Sequence, residues 1–62
     1  MAEYILEGQT RIGAPWRELR RTTGRREAMD LFEGGRRRWP DCTRFRIIDG
    51  RGEVVFETFA DQ

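Results

Sequence analysis

The stretch TRFRIIDGRGEVVFETF, residues 43–59, constrains this chain more than any other part of it. Asp49-Gly50 sits between two runs in which apolar and charged residues alternate, a strong short-range signature of a β-hairpin. Phe45, Ile47, Val54 and Phe56 then share one face, and Arg44, Arg46, Glu53, Val55 and Glu57 share the other. Two registers satisfy this pattern. A two-residue loop at Asp49-Gly50 pairs Arg46 with Glu53 and Phe45 with Val54. A four-residue loop from Asp49 to Gly52 pairs Phe45 with Phe56 and Arg44 with Glu57. Side chains alternate with a period of two, so both registers keep the same residues inward, and both stand open at this point.

A lone hairpin is marginal in water, so the rest of the chain must cover its apolar face. Ala28, Leu31, Phe32, Gly35 and Trp39 recur at helical spacing and form an apolar stripe. Thr23 stands where an N-cap is expected. The stretch EGGRRRWPDC, residues 33–42, leaves two ends for this helix. If it stops at Glu33, Gly34 terminates it and residues 35–42 become an exposed basic loop. If it runs to Arg38, two internal glycines cost about 1 kcal/mol each relative to alanine. That longer form brings Trp39 onto the stripe, lets Gly35 admit a close approach to the sheet, and stops before Pro40. We favour the longer helix.

Upstream, Tyr4 and Leu6 alternate with Glu3, Ile5 and Glu7, as in a short strand, and Gly13 and Pro15 mark a turn. Residues 16–22 read as a second strand with Leu19 inward, although Pro15 also suits the first position of a short helix. The expected fold is a small two-layer α+β domain spanning residues 1–62. One helix packs on an antiparallel sheet in the order β-β-α-β-β, or β-α-β-β if residues 16–22 are not a strand. A chain of this length buries a thin core and gains from a partner or a second copy.

Composition narrows the function. Charged residues make up 37% of the chain, yet the net charge is only +1, which argues against a strongly basic nucleic-acid-binding arm. All 12 basic residues are arginine. A guanidinium suits phosphate and carboxylate, but the codon usage of a GC-rich bacterial or bacteriophage genome explains the same bias. Histidine, lysine and serine are missing from the chain, so the usual general bases and activated nucleophiles are too. The single Cys42 cannot form an internal disulfide and has no histidine to activate it. The acids lack metal-ligand spacing, and GRGE after IID is a turn rather than a phosphate loop. No apolar run approaches the ~18 residues of a membrane span, and the N-terminus lacks a signal pattern. The sequence therefore predicts a cytoplasmic, non-enzymatic binding module without cofactor, metal or small-molecule substrate.

Two kinds of partner compete. Arg17, Arg44 and Arg46, with Arg11, gather near Trp16 on the expected open sheet face, and arginine beside an aromatic is the pattern of single-strand nucleic-acid platforms. Glu3, Glu7, Glu18, Glu53 and Glu57 share that face and repel phosphate. Within the helix, Arg26–Asp30 and Glu33–Arg37 form i,i+4 pairs, so the arginine run is locally neutralised. We therefore favour a protein partner, including a second copy in a homodimer, over nucleic acid. Trp16, Arg17, Arg44 and Arg46 are the candidate contact residues, and Trp16, Trp39 and Phe59 the candidate aromatic anchors.

Overall fold

The computed structural model describes residues 2–57. The alternation at the N-terminus becomes β1 (Tyr4–Gln9), and residues 17–22 do form a strand, β2 (Arg17–Thr22). The apolar stripe lies on helices α1 (Arg25–Glu33) and α2 (Gly35–Arg38), and the hairpin supplies β3 (Arg44–Asp49) and β4 (Val54–Glu57). The four strands form one antiparallel sheet in the order β2-β1-β3-β4, so the expected α+β fold stands. No helix among the described residues is long and apolar enough to cross a membrane.

The core forms where the stripe meets the sheet. Leu6 pairs with Ile47 and Gly8 with Phe45 across β1 and β3, which sets these residues on the helix face. Among the described residues, Leu6, Ala28, Cys42, Phe45 and Ile47 are the buried apolar ones, with Tyr4, Leu19, Met29, Leu31, Phe32, Trp39 and Val55 packed around them. Trp39 is half-buried rather than central. Two glycines allow close approach. A Cβ at Gly35 would lie 2.9 Å from Phe45 Cε1, and one at Gly8 would lie 2.8 Å from both Cys42 Sγ and Leu19 Cδ1.

The helix differs from expectation at both ends. Gly24, not Thr23, is the N-cap, and no side chain caps the first turn. Instead the Thr22 hydroxyl donates to the Gly24 carbonyl at 3.1 Å. The long helix is split. Its first segment ends at Glu33, and the Gly34 amide donates to the Asp30 carbonyl at 3.1 Å. Gly34 lies at φ −92 and ψ 10, off the helical path, and one more turn follows. Residues 35–42 are therefore no exposed loop, because 35–38 are helical and Gly35 and Cys42 are buried.

The hairpin adopts neither expected register. The Asp49 amide donates to the Glu53 carbonyl and the Gly52 amide to the Asp49 carbonyl, each at 3.0 Å, which closes a three-residue loop. Two local causes select it. The Asp49 carboxylate accepts from the Arg51 and Glu53 amides at 2.9 and 3.0 Å, and Gly52 occupies φ 85, a region that glycine enters without a steric cost. The ladder then shifts between Ile47 and Ile48, so Ile48 faces Val54 and Ile47 faces Phe56. The three-residue loop inverts part of the expected pattern, and the ladder shift restores it at Phe56. Val54, expected inward, shares the open face with Ile48, whereas Val55, expected outward, packs on the core.

Candidate functional site

The open face of the sheet carries most of the candidate residues. Opposed residues share a face, so Glu18, Glu7, Arg46 and Glu57 lie in one row across the four strands. A neighbouring row reads Arg21, Ile5, Ile48 and Val54. The segment between β1 and β2 folds back over one end of this face, where Gln9 Nε2 donates to the Ala14 carbonyl at 2.8 Å. Trp16 follows in that segment, and the Arg46 guanidinium carbon stands 4.2 Å from its ring centroid, a cation–π distance. Arg46 Nε also donates to Glu7 at 2.7 Å, and both of these side chains are largely buried. Trp16, Arg46 and Glu7 thus form one fixed stack.

The other candidate arginines are answered as well. Arg44 pairs with Glu57 at 3.7 Å, a looser contact that leaves Arg44 Nε buried without an acceptor among the described residues. Arg21 donates to Glu18 at 2.8 Å and to Glu3 at 2.9 Å, and these carboxylates, Glu18 first, hold its guanidinium well above its ordinary pKa. Arg17 lies opposite Gly8, on the helix face, so it does not join Arg44 and Arg46 as expected. It donates to Asp41 at 3.1 Å and approaches Cys42 Sγ at 3.6 Å; the hydrogen bond to Asp41 is the main reason its pKa rises. The structure therefore brings Trp16 and Arg46 together, sets Arg44 beside them on the same face, and sends Arg17 to the other side. Trp16 and Arg17 still meet at the wall of an open cleft of about 310 Å³, shared with Gly8, Thr10, Ala14 and Pro15.

The expected helix pairs do not form. Neither Arg26 and Asp30 nor Glu33 and Arg37 come within 4.0 Å, among the described residues. The guanidiniums that are neutralised belong to the sheet. Among the described residues, no group of three or more Cys, Asp or Glu side chains is placed to hold a metal ion.

Sequence reasoning missed one surface. Val54 and Phe56 on β4 are 46% and 42% exposed, and β4 is the last strand of the sheet. Val54 extends the open-face row through Ile48 to Ile5, while Phe56 meets Phe32 of α1 edge-to-face at 5.1 Å on the other face. The signal was present in the sequence: Val54, Val55 and Phe56 are consecutive and break the alternation of a strand with one wet face. Phe59, the third expected anchor, lies outside the described residues. No protein-family model matches this chain, and no curated protein or solved structure matches it.

Proposed function

We propose that this chain is a non-enzymatic module that binds protein, and that its first partner is a second copy of itself, joined through the β4 edge. The observation that carries this reading is the exposed, apolar edge strand. An edge strand offers unpaired backbone groups to another strand, and apolar side chains there add to the attraction. β4 presents Val54 toward one face and Phe56 toward the other. A strand laid beside it needs apolar residues on both faces, and the consecutive Val54, Val55 and Phe56 of a second copy supply them. The small core, with five buried apolar residues among the described ones, gives the chain a reason to extend its sheet.

The paired arginines favour protein over nucleic acid at the sheet. Arg17, Arg44 and Arg46 each hold a carboxylate, so a phosphate must displace a partner that is already in place. The absence of histidine, lysine and serine from the sequence supports a binding role rather than catalysis. We place the module in the cytoplasm, where a reducing environment keeps the buried Cys42 a thiol.

Light-scattering mass across a concentration series tests this. The expected result is a shift to twice the monomer mass, abolished by Val54→Lys, which adds an edge charge to a half-exposed position. A monomer at every concentration, or a dimer indifferent to Val54→Lys, would contradict the reading.

A further inference from the structure

The paired arginines of the sheet leave a second group conspicuous. Arg36, Arg37 and Arg38 are exposed, and no carboxylate lies within 4.0 Å of any of them among the described residues. The two acids closest in sequence do not reach them. Among the described residues Glu33 makes no ion pair, and Asp41 is held by Arg17 at 3.1 Å.

The geometry of α2 explains why all three point outward. It is a single turn of four residues. Gly35 takes the inward position, its missing side chain filled by the Phe45 ring. Successive residues of a helix are about 100° apart, so Arg36, Arg37 and Arg38 occupy the remaining directions of the turn. Their guanidiniums fan around a cylinder about 10 Å across and do not converge on one small anion. The favourable field at a helix C-terminus offers little compensation, because a single turn sums few peptide dipoles.

We propose that the α2 turn, Arg36 to Arg38, contacts the phosphate backbone of single-stranded nucleic acid. A fan of guanidiniums suits a flexible chain of phosphates that can follow the curve. One helical turn is too short to read a duplex major groove, as recognition helices do. Trp39 follows directly; it packs against the core without being fully buried, so part of an aromatic residue stands beside the cations. This site is separate from the β4 edge, uses none of its residues, and does not depend on self-association.

The test is fluorescence anisotropy of a labelled mixed-sequence single-stranded oligonucleotide over a salt series. Three phosphate contacts predict a log–log slope of about −2, or roughly twentyfold weaker binding between about 50 and 200 mM salt. The triple variant Arg36→Gln/Arg37→Gln/Arg38→Gln should abolish binding, and Arg37→Gln alone should reduce the slope by roughly one third. The double variant Arg44→Gln/Arg46→Gln should bind as wild type does. Circular dichroism checks that each variant folds, and the single variant carries the test if the triple one does not. No binding at low salt, binding that survives removal of the α2 arginines, or equal affinity for a duplex or an acidic polypeptide would overturn the proposal.

Discussion

The two edges of the sheet are built differently. β2 reads Arg-Glu-Leu-Arg-Arg-Thr, with exposed charge at four of six positions and a register shift opposite Leu6 and Glu7. Arg21 ties this edge to Glu3 and pairs with Glu18 within β2, and Arg17 ties the edge to Asp41. β4 reads Val-Val-Phe-Glu and exposes Val54 and Phe56. It also carries a register shift, but no charge until Glu57. Charge and irregular pairing both discourage a strand from docking on an edge. β2 has both defences, and β4 has only the weaker one. On the proposed reading the two edges have opposite roles: β2 closes the sheet, and β4 leaves it open to extension.

Four perturbations break or sharpen this contrast. The largest effect is expected at the anchor of the closed edge. A methyl group at Gly8 collides with Leu19 of β2 and with Cys42, so Gly8→Ala should cost about 1–3 kcal/mol in chemical denaturation. A variant as stable as wild type would show that Leu19 does not hold β2 to the core. On the open edge, Phe56→Ala removes the edge-to-face contact with Phe32, and the aromatic pair alone is worth about 0.5–1.5 kcal/mol. The same variant should weaken association, because an exposed apolar side chain is removed from the docking strand.

The third perturbation addresses the turn that sets the register of β4. Hydrogen bonds from the Glu53 amide, and then from the Arg51 amide, hold the Asp49 carboxyl below its ordinary pKa. A lowered pKa in the folded state means that this contribution is fully present above the usual carboxylate range. It is lost as pH falls through the lowered value. Thermal melts of wild type and Asp49→Asn should therefore converge on acidification, and a gap that stays constant with pH would contradict this role for the carboxylate. The smallest effect belongs to the exposed charges of β2. Arg21→Ala should leave the melting temperature nearly unchanged, since solvent-exposed ion pairs contribute little. It should instead strip a defence from β2, visible as new association at high protein concentration.

The strands and the helical stripe were legible because their signals are local, but the split of the helix at Gly34 was not. The apolar stripe from Ala28 to Trp39, the alternation around Leu6 and the Asp49-Gly50 turn each lie within a short window. The register of the hairpin was not, since it depends on the Asp49 carboxylate capturing two backbone amides and on the conformation of Gly52. That three-residue loop moved Val54 to the open face. The arginine partners were legible only in part. Local i,i+4 reasoning paired the helix arginines, whereas the observed pairs, apart from Arg21 with Glu18 inside β2, join residues far apart in sequence, such as Glu7 with Arg46 and Arg17 with Asp41. Topology decides such pairs, and no pattern within one element contains them. Among the candidate contact residues, the Trp16–Arg46 association on the open face was anticipated, and the departure of Arg17 to the other face was not.

The contrast between the edges is tested most directly by amide hydrogen exchange at two protein concentrations, read strand by strand. Self-pairing through β4 predicts that amides within Val54–Glu57 gain protection as concentration rises, while those of Arg17–Thr22 stay as they were. Added protection on β2, or none on either edge, would contradict the account.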